Sequence, residues 1–178
     1  MTPYSAEAPF DAQAILTLIQ DSFAFMERRI DPPSSMHRLT PQDIAAQATE
    51  GEVWLIGRPP LACVFLTAKP GALYIGKLAV ARSHRGKGLA RALIDTAETR
   101  ARALGLPMLE LQTRIELTEN HATFRALGFH ETGRTAHPGY DRPTSVTFRR
   151  PVPPSPVLPG PVVPGPVLPS PAPSEGPT

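Results

Sequence analysis

The sequence contains a single cysteine, Cys63, among its 178 residues. One cysteine excludes a disulfide framework within the chain and a zinc site built on cysteines. Cys63 lies in the apolar run Leu61–Leu66, and free cysteines are among the most buried residue types. We therefore expect Cys63 to be a core residue and not a nucleophile. The histidines share no ligand spacing, so no metal site is predicted.

Long apolar segments and runs of basic residues are also missing. No stretch approaches the ~18 uninterrupted apolar residues of a membrane-spanning helix, and the N-terminus lacks the cationic-then-apolar order of a secretory signal. We therefore expect a cytoplasmic protein with no membrane partner. The formal net charge is only +2, and Arg149-Arg150 is a pair and not a run. Nucleic-acid binding is therefore not indicated.

Proline and charge divide the chain into two parts. Residues 1–150 hold all 18 lysines and arginines, whereas residues 151–178 hold twelve of the 23 prolines and one charged residue, Glu175. We predict a folded domain over residues 1–150 and a disordered, proline-rich tail over residues 151–178, because proline removes amide donors and the repeated pentads have no face to bury. The tail is either a spacer or, through its Pro-x-x-Pro spacing, a ligand for a proline-binding partner.

The spacing of apolar residues changes along residues 1–150. Two helices are predicted first, one capped by Asp11 and one starting at Thr40-Pro41. Strands follow, and an amphipathic helix over Gly88–Leu104 separates two of them, which makes a βαβ unit and a parallel pairing. The fold class is therefore α/β or α+β with a mixed sheet, antiparallel first and then with one parallel crossover. Predicted strands cover Glu52–Gly57, Leu61–Ala68, Leu73–Ala81, Met108–Thr113, Phe129–Arg134 and Thr144–Arg149, and a short helix covers Glu119–Leu127.

The segment that leads into the amphipathic helix has the composition of an anion site. Gly86 and Gly88 allow close approach of the backbone, and the amides and dipole of a helix N-terminus favour negative charge. Arg85 and Lys87 add positive charge, so we infer a site for a diphosphate. Two common nucleotide motifs do not fit. Gly88 stands where a Walker A loop needs Ser or Thr, and Arg91 stands where a dinucleotide fingerprint needs its third glycine.

Two motifs resemble those of the GNAT superfamily of N-acetyltransferases. Arg85–Ala90 fits the pattern R/Q-x-x-G-x-G/A, and Asn120–Phe129 has the family's asparagine, an aromatic residue four positions later and a closing Gly-Phe. The resemblance covers about residues 10–150 and implies the acyl-CoA N-acyltransferase fold. It also implies acetyl-CoA as cosubstrate and direct transfer of the acetyl group to a primary amine of a small molecule or a protein. Dimers are common in the superfamily, so a homodimer is among the implied partners.

The resemblance further implies roles for individual residues. The amide of Leu78 or Ala79 would polarise the acetyl carbonyl, and a bulge in that strand would open a slot for the thioester. Backbone groups of the same strand would bind pantetheine. The backbone amides of Arg85–Ala90, which we call the glycine-containing loop, would bind pyrophosphate. The implied cofactor-binding residues are Leu78, Ala79, Val80, Arg85, Gly86, Lys87, Gly88, Leu89, Ala90, Asn120 and Phe124.

Phe124 departs from the family, in which a tyrosine often stands at this position and is thought to protonate the leaving thiolate. Since phenylalanine has no proton to donate, other groups are considered. Glu110, on the strand beside the slot, is a candidate base acting through water, or else it forms an ion pair with Arg114 or another cation. Tyr140 is a candidate from the last loop, or else a tyrosine at the edge of the core. The catalytic candidates are Leu78, Glu110 and Tyr140.

Two other functions stay open at this point. Phe124 and the lack of an obvious base favour a non-catalytic module that binds acyl-CoA or has a regulatory role. The tail would instead favour a scaffold that recruits a proline-binding partner. In the superfamily, acceptor choice usually depends on the first helices and the last hairpin, which here means Arg29–Arg38 and His137–Arg142. No pattern in these segments identifies a substrate.

Overall fold

A computed structural model describes residues 1–154, which contain seven strands and four α-helices. The strands are β1 (Tyr4–Ser5), β2 (Glu52–Ile56), β3 (Ala62–Lys69), β4 (Ala72–Val80), β5 (Met108–Arg114), β6 (His130–Thr135) and β7 (Ser145–Pro151). The helices are α1 (Ala12–Phe23), α2 (Pro41–Glu50), α3 (Leu89–Ala103) and α4 (Thr118–Ala126). Most of the predicted proline-rich tail lies outside the described residues. Within residues 1–154, no helix is long and apolar enough to cross a membrane.

The strands form one sheet in the order β1-β2-β3-β4-β5-β7-β6. β4 and β5 run parallel, and α3 connects them, whereas every other pair of neighbours is antiparallel. The predicted mixed sheet with one parallel crossover is confirmed. The two-residue strand β1 was not predicted, because two residues carry no periodicity.

Helices pack on both faces of the sheet. On one face, α1 and α2 bury Ile15 and Ile44 in a cluster that includes Cys63. On the other face, α3 buries Leu93 and Ile94 among side chains of the central strands. The thiol of Cys63 is fully buried, and burial raises its pKa to about 12. The prediction of a core cysteine is confirmed.

Two N-terminal caps determine where α1 and α2 begin. The Asp11 carboxylate accepts a hydrogen bond from the Ala14 amide at 2.9 Å. Thr40 and Asp43 form a reciprocal capping box at the start of α2, which satisfies free amides of the first turn. Both helices therefore start where the sequence predicts, and residues 27–39 between them are left to border the cavity described below.

A β-bulge interrupts β4 beside β3. One residue of β3 lies between Cys63 and Phe65, but two residues of β4, Lys77 and Leu78, lie between their partners. Lys77 has a φ of 47°, in the left-handed region. Such a bulge bends the strand and re-aims its side chains. The bulge that the family resemblance implies near Leu78 is present.

Candidate active site

A cavity of about 1040 Å³ opens where β4 and β5 stop pairing. The ladder between these strands joins only Leu73–Ile75 to Leu109–Leu111. Beyond it, residues 76–80 of β4 and 112–114 of β5 line opposite walls. Backbone groups that face such a gap can pair with an extended ligand, as in strand addition.

The cavity brings most of the predicted cofactor-binding residues together. It is lined by Leu78, Ala79, Val80, Arg85, Ala90, Asn120 and Phe124. The other predicted residues follow Arg85 in the loop and in the first turn of α3. These are Gly86, Lys87, Gly88 and Leu89, and they do not line the cavity itself. The cavity therefore leads from the gap between the strands to the glycine-containing loop.

The glycine-containing loop has two left-handed residues, Gly86 with a φ of 75° and Gly88 with a φ of 80°. A side chain at either position would meet no atom within 4 Å, so the backbone conformation, and not crowding within the chain, favours glycine. Gly88 is the N-cap of α3, and no side chain caps this end of the helix. The first-turn amides of α3 are consequently suited to an anion.

The side chain of Arg85 connects this loop to the end of α1. Its guanidinium donates a hydrogen bond to the Ser22 carbonyl at 2.8 Å and lies 5.5 Å from the centre of the Phe25 ring. The Ser22 hydroxyl in turn donates to the Val80 carbonyl at 3.2 Å. Arg85 therefore holds the loop against α1 and β4, while its charge stays at the edge of the cavity.

Asn120 and Phe124 reach the cavity from α4. The Phe124 ring also contacts Phe129 and Phe148, with ring centres 6.1 and 6.2 Å away. His121, on the same helix, is buried and bonds through Nε2 to the Arg114 carbonyl at 2.9 Å. These contacts orient α4 so that its polar Asn120 faces the ligand space and Phe124 closes it with an apolar surface.

Glu110 lies at the paired end of β4 and β5, and it is not among the residues that line the cavity. Its carboxylate is mostly buried, and its Oε2 accepts a hydrogen bond from Nε of Arg149 at 2.8 Å and lies 2.6 Å from Nη2 of the same arginine. Lys69 lies 3.7 Å from the other oxygen. This placement favours the ion-pair alternative that the sequence left open, with Arg149 and Lys69 as the cations.

Tyr140 lies outside the cavity lining, on the exposed loop between β6 and β7. Its hydroxyl donates to the Asp31 carboxylate at 2.6 Å, and Arg142 donates to the same carboxylate at 3.1 Å. The hydrogen bond to Asp31 raises the pKa of Tyr140. The phenol therefore keeps its proton at neutral pH, so Tyr140 could serve as a general acid but not as a general base.

The two loops predicted to select the acceptor meet at Arg114. Its guanidinium donates to the carbonyls of Pro32 and Pro33 and lies 3.2 Å from Nδ1 of His137. Burial, followed by the charge of Arg114, lowers the pKa of His137, so its imidazole is neutral at neutral pH. The α1–α2 loop and the β6–β7 loop together border the part of the cavity opposite the glycine-containing loop.

Lys77 also lines the cavity, and its role could not be predicted from the sequence. The bulge directs its ammonium toward the α1–α2 loop, where Nζ donates to the Ser35 hydroxyl at 2.7 Å. Burial lowers the pKa of Lys77. The available sequence signal was one charged residue inside an otherwise uncharged strand, but the direction of its side chain depends on the bulge.

The sequence pattern of the acetyltransferase (GNAT) family matches residues 15–129. The chain belongs to this family. The match confirms the resemblance seen in the two motifs, and the family implies acyl transfer from acyl-CoA to amine acceptors such as proteins or small molecules. A comparison with curated protein sequences gives no match.

Solved structures of the family share the fold at low sequence identity. The ribosomal-protein-S18-alanine N-acetyltransferase from Escherichia coli is 20% identical with a TM-score of 0.62, over 85% of this chain and 93% of that chain. A GNAT-family acetyltransferase from Staphylococcus aureus is 13% identical with a TM-score of 0.66, over 85% of this chain and 98% of that chain. A GNAT-family acetyltransferase from Elizabethkingia anophelis with acetyl-CoA bound is 16% identical with a TM-score of 0.60, over 84% of this chain and 97% of that chain.

Proposed function

We propose that this protein transfers an acetyl group from acetyl-CoA to a primary amine by direct attack. One observation carries the proposal: the cavity that opens in the gap between β4 and β5 extends to Arg85 and Ala90, the two ends of the glycine-containing segment that leads into α3. A gap alone could hold any extended ligand, and a helix N-terminus alone could hold any anion. Acetyl-CoA has both parts, a pantetheine arm and a pyrophosphate.

In this proposal, the pantetheine arm extends β4 as an added strand and binds the backbone of Leu78, Ala79 and Val80. The pyrophosphate binds the amides of the segment Arg85–Ala90, where the α3 dipole and the charge of Lys87 favour it. Asn120 donates a hydrogen bond to the arm. The bound acetyl-CoA of the Elizabethkingia anophelis relative supports acetyl-CoA as the ligand of this fold.

The acetyl carbonyl lies near the bulge of β4. There the amide of Leu78 or Ala79 donates a hydrogen bond to the carbonyl oxygen, and this bond strengthens as the neutral amine attacks and negative charge develops. A carbon–nitrogen bond forms, the carbon–sulfur bond breaks, and coenzyme A leaves as a thiolate. The amine loses one proton to solvent.

Protonation of the thiolate does not require a side chain. A thiol has a pKa of about 8.5, so a thiolate is a fair leaving group at neutral pH and water can protonate it. We propose that solvent does so here, because Phe124 has no proton and neither Glu110 nor Tyr140 lines the cavity.

The test is release of free thiol from acetyl-CoA across a panel of amino acids, peptides, polyamines and aminoglycosides. The double variant Arg85→Ala, Lys87→Ala should lose the amine-dependent release. Arg58→Ala is the matched control, because Arg58 lies in the turn between β2 and β3 and stacks on Tyr4 at 4.4 Å, outside the cavity lining. Saturable binding of acetyl-CoA without release would favour the second candidate, a non-catalytic acyl-CoA-binding module, which Phe124 supports.

The proposal also assigns the activity to the domain and not to the tail. β7 includes Pro151, the Val152 amide donates to the Pro107 carbonyl at 2.8 Å, and Arg102 donates to the Pro153 carbonyl at 3.1 Å. The predicted boundary at residue 150 therefore cuts into β7. A chain that ends at residue 154 should keep its turnover, whereas a scaffold that acts through residues 151–178 would lose its partner.

A further inference from the structure

The charged side chains that line the cavity are mostly cationic. Among the described residues they are Arg38, Lys77, Arg85, Arg114 and Glu119. Glu119 is paired with Arg29 at 2.5 and 3.0 Å, so the carboxylate already has its counter-charge. The lining of the cavity that would receive the amine therefore carries an excess of positive formal charge, which disfavours a polycationic acceptor.

Two of the cations have hydrogen-bond partners within the protein. Arg85 donates to the Ser22 carbonyl, and Arg114 donates to the carbonyls of Pro32 and Pro33. These contacts hold loops in place, so both guanidinium groups have a structural role within the protein. The third arginine of the lining, Arg38, is exposed, so water solvates its guanidinium.

Lys77 differs from these arginines. Among residues 1–154, its ammonium has one hydrogen-bond partner, the Ser35 hydroxyl at 2.7 Å, and no carboxylate within 4.0 Å. An ammonium has three donors, so two of them have no partner in this part of the chain. A charge that is withdrawn from water without a counter-charge costs free energy, and burial accordingly lowers the pKa of Lys77.

The position of Lys77 relates this charge to the reaction. Its neighbour Leu78 is one of the two residues whose amide is proposed to polarise the acetyl carbonyl, and its partner Ser35 lies on the α1–α2 loop that borders the cavity. A group that binds Lys77 is therefore held next to the proposed position of the acetyl group, on the side from which the amine approaches.

We propose that Lys77 binds a carboxylate of the acceptor, and that the acceptor is an amine that also carries a carboxylate group. This inference rests on the proposed acetyl transfer. The carboxylate supplies the counter-charge that Lys77 lacks, and Ser35 orients the ammonium toward it. The carboxylate belongs either to a free amino acid or to an acidic residue near the N-terminus of a peptide, since both present the same chemistry.

The experiment compares matched acid and amide acceptors. Alanine and alaninamide test a free amino acid, and the C-terminally amidated dipeptides Ala-Glu and Ala-Gln test an acidic side chain. The kcat/KM values are expressed per neutral amine, because the ammonium of alaninamide loses its proton more readily than that of alanine. On this basis we expect the acid of at least one pair to exceed its amide about tenfold or more, mainly through KM, because charge-assisted hydrogen bonds are strong. The pair that shows the preference identifies the source of the carboxylate.

Three variants connect the preference to Lys77. Lys77→Gln should bring the acid-to-amide ratio of kcat/KM close to one, and Lys77→Arg should keep the preference. Lys69→Gln is the matched control, because Lys69 is a lysine at the end of β3, outside the cavity lining. Amides that equal or exceed their acids in the unaltered protein would overturn the proposal, and this comparison needs no variant to fold.

The outcome is distinguishable from a failure of the proposed function. Equal turnover of acids and amides would retain acetyl transfer and reject the role of Lys77. If no amine releases thiol, calorimetric titration of the same four compounds into the protein with coenzyme A gives the answer without turnover. Tighter binding of an acid than of its amide, lost in Lys77→Gln, would support the carboxylate site, and equal or absent binding would reject it.

Discussion

The Tyr140 hydroxyl donates a hydrogen bond to the Asp31 carboxylate at 2.6 Å, across 109 residues of sequence. This contact joins the β6–β7 loop to the α1–α2 loop beside Pro32, which lines the cavity. It places Tyr140 at the outer edge of the cavity, where its hydroxyl joins the two loops.

Replacement of Tyr140 by phenylalanine tests this position. Tyr140→Phe should raise the KM for the acceptor about two- to fivefold, since one hydrogen bond between the loops is lost, and should leave the kcat and its pH profile unchanged. Tyr4→Phe is the control, because the Tyr4 hydroxyl donates at 3.0 Å to the Gly57 carbonyl, outside the cavity. A kcat that falls sharply, with loss of the alkaline limb of the profile, would instead identify Tyr140 as the catalytic acid.

Replacement of Glu110 by glutamine should lower stability and not catalysis. Glu110→Gln removes the charge that pairs with Arg149 and Lys69, and we expect a loss of about 1–3 kcal/mol in the free energy of unfolding. Chemical denaturation measures that loss, and thiol release measured from pH 6 to 9 should give the profile of the unaltered protein. A catalytic base would behave in the opposite way, with normal stability and an altered acid limb.

A side chain at Gly88 should weaken acetyl-CoA binding. Gly88→Ala places alanine at a φ of 80°, which costs about 1–2 kcal/mol, and relaxation of that strain moves the amides proposed to bind pyrophosphate. The KM for acetyl-CoA should rise at least about tenfold. Gly71→Ala is the matched control, with a φ of 76° and equally open space in the turn between β3 and β4. If both variants lose stability and neither changes the KM, the loop does not bind the cofactor.

Glu52 gives the fold a stability that depends on pH. Burial raises the pKa of Glu52, but hydrogen bonds from Arg100 and from the Trp54 indole lower it. The hydrogen bonds together with the charge of Arg100 outweigh burial, so the net pKa lies below the ordinary value. A lowered folded-state pKa contributes stability above the pKa of the unfolded state, and this contribution is lost as the pH falls through the folded pKa. Glu52→Gln should therefore cost about 1 kcal/mol at pH 7 and progressively less below pH ~4.

Thermal unfolding at several pH values measures this difference. Glu50→Gln is the control, because Glu50 is an exposed neighbour at the end of α2. A difference between Glu52→Gln and the unaltered protein that stays constant from pH 7 to pH 3 would contradict the assigned role.

The parts of the fold that local chemistry determines were predicted from the sequence. Asp11 and Thr40 cap helices because their side chains bond amides three residues away. The parallel pairing of β4 and β5 follows from the helix between them. The motif Arg85–Ala90 indicated the family for a similar reason, since its residues are continuous in the sequence.

The contacts that depend on distant parts of the chain could not be predicted. Lys77 meets Ser35 across 42 residues, and Glu110 meets Arg149 across 39. The sequence offered Arg114 as a named partner for Glu110, but Arg114 instead bonds carbonyls of the α1–α2 loop. Strand register and the bulge decide these partners, and neither follows from the spacing of apolar residues.

Thiol release from acetyl-CoA in the presence and absence of an amine tests the central claim most directly. Acetyl transfer predicts release that depends on the amine, is matched by an equal amount of acetylated amine, and is lost in Arg85→Ala, Lys87→Ala but kept in Arg58→Ala. Saturable acetyl-CoA binding with no amine-dependent release from any compound of the panel would contradict it, and the protein would then be a binding module on the acetyltransferase fold.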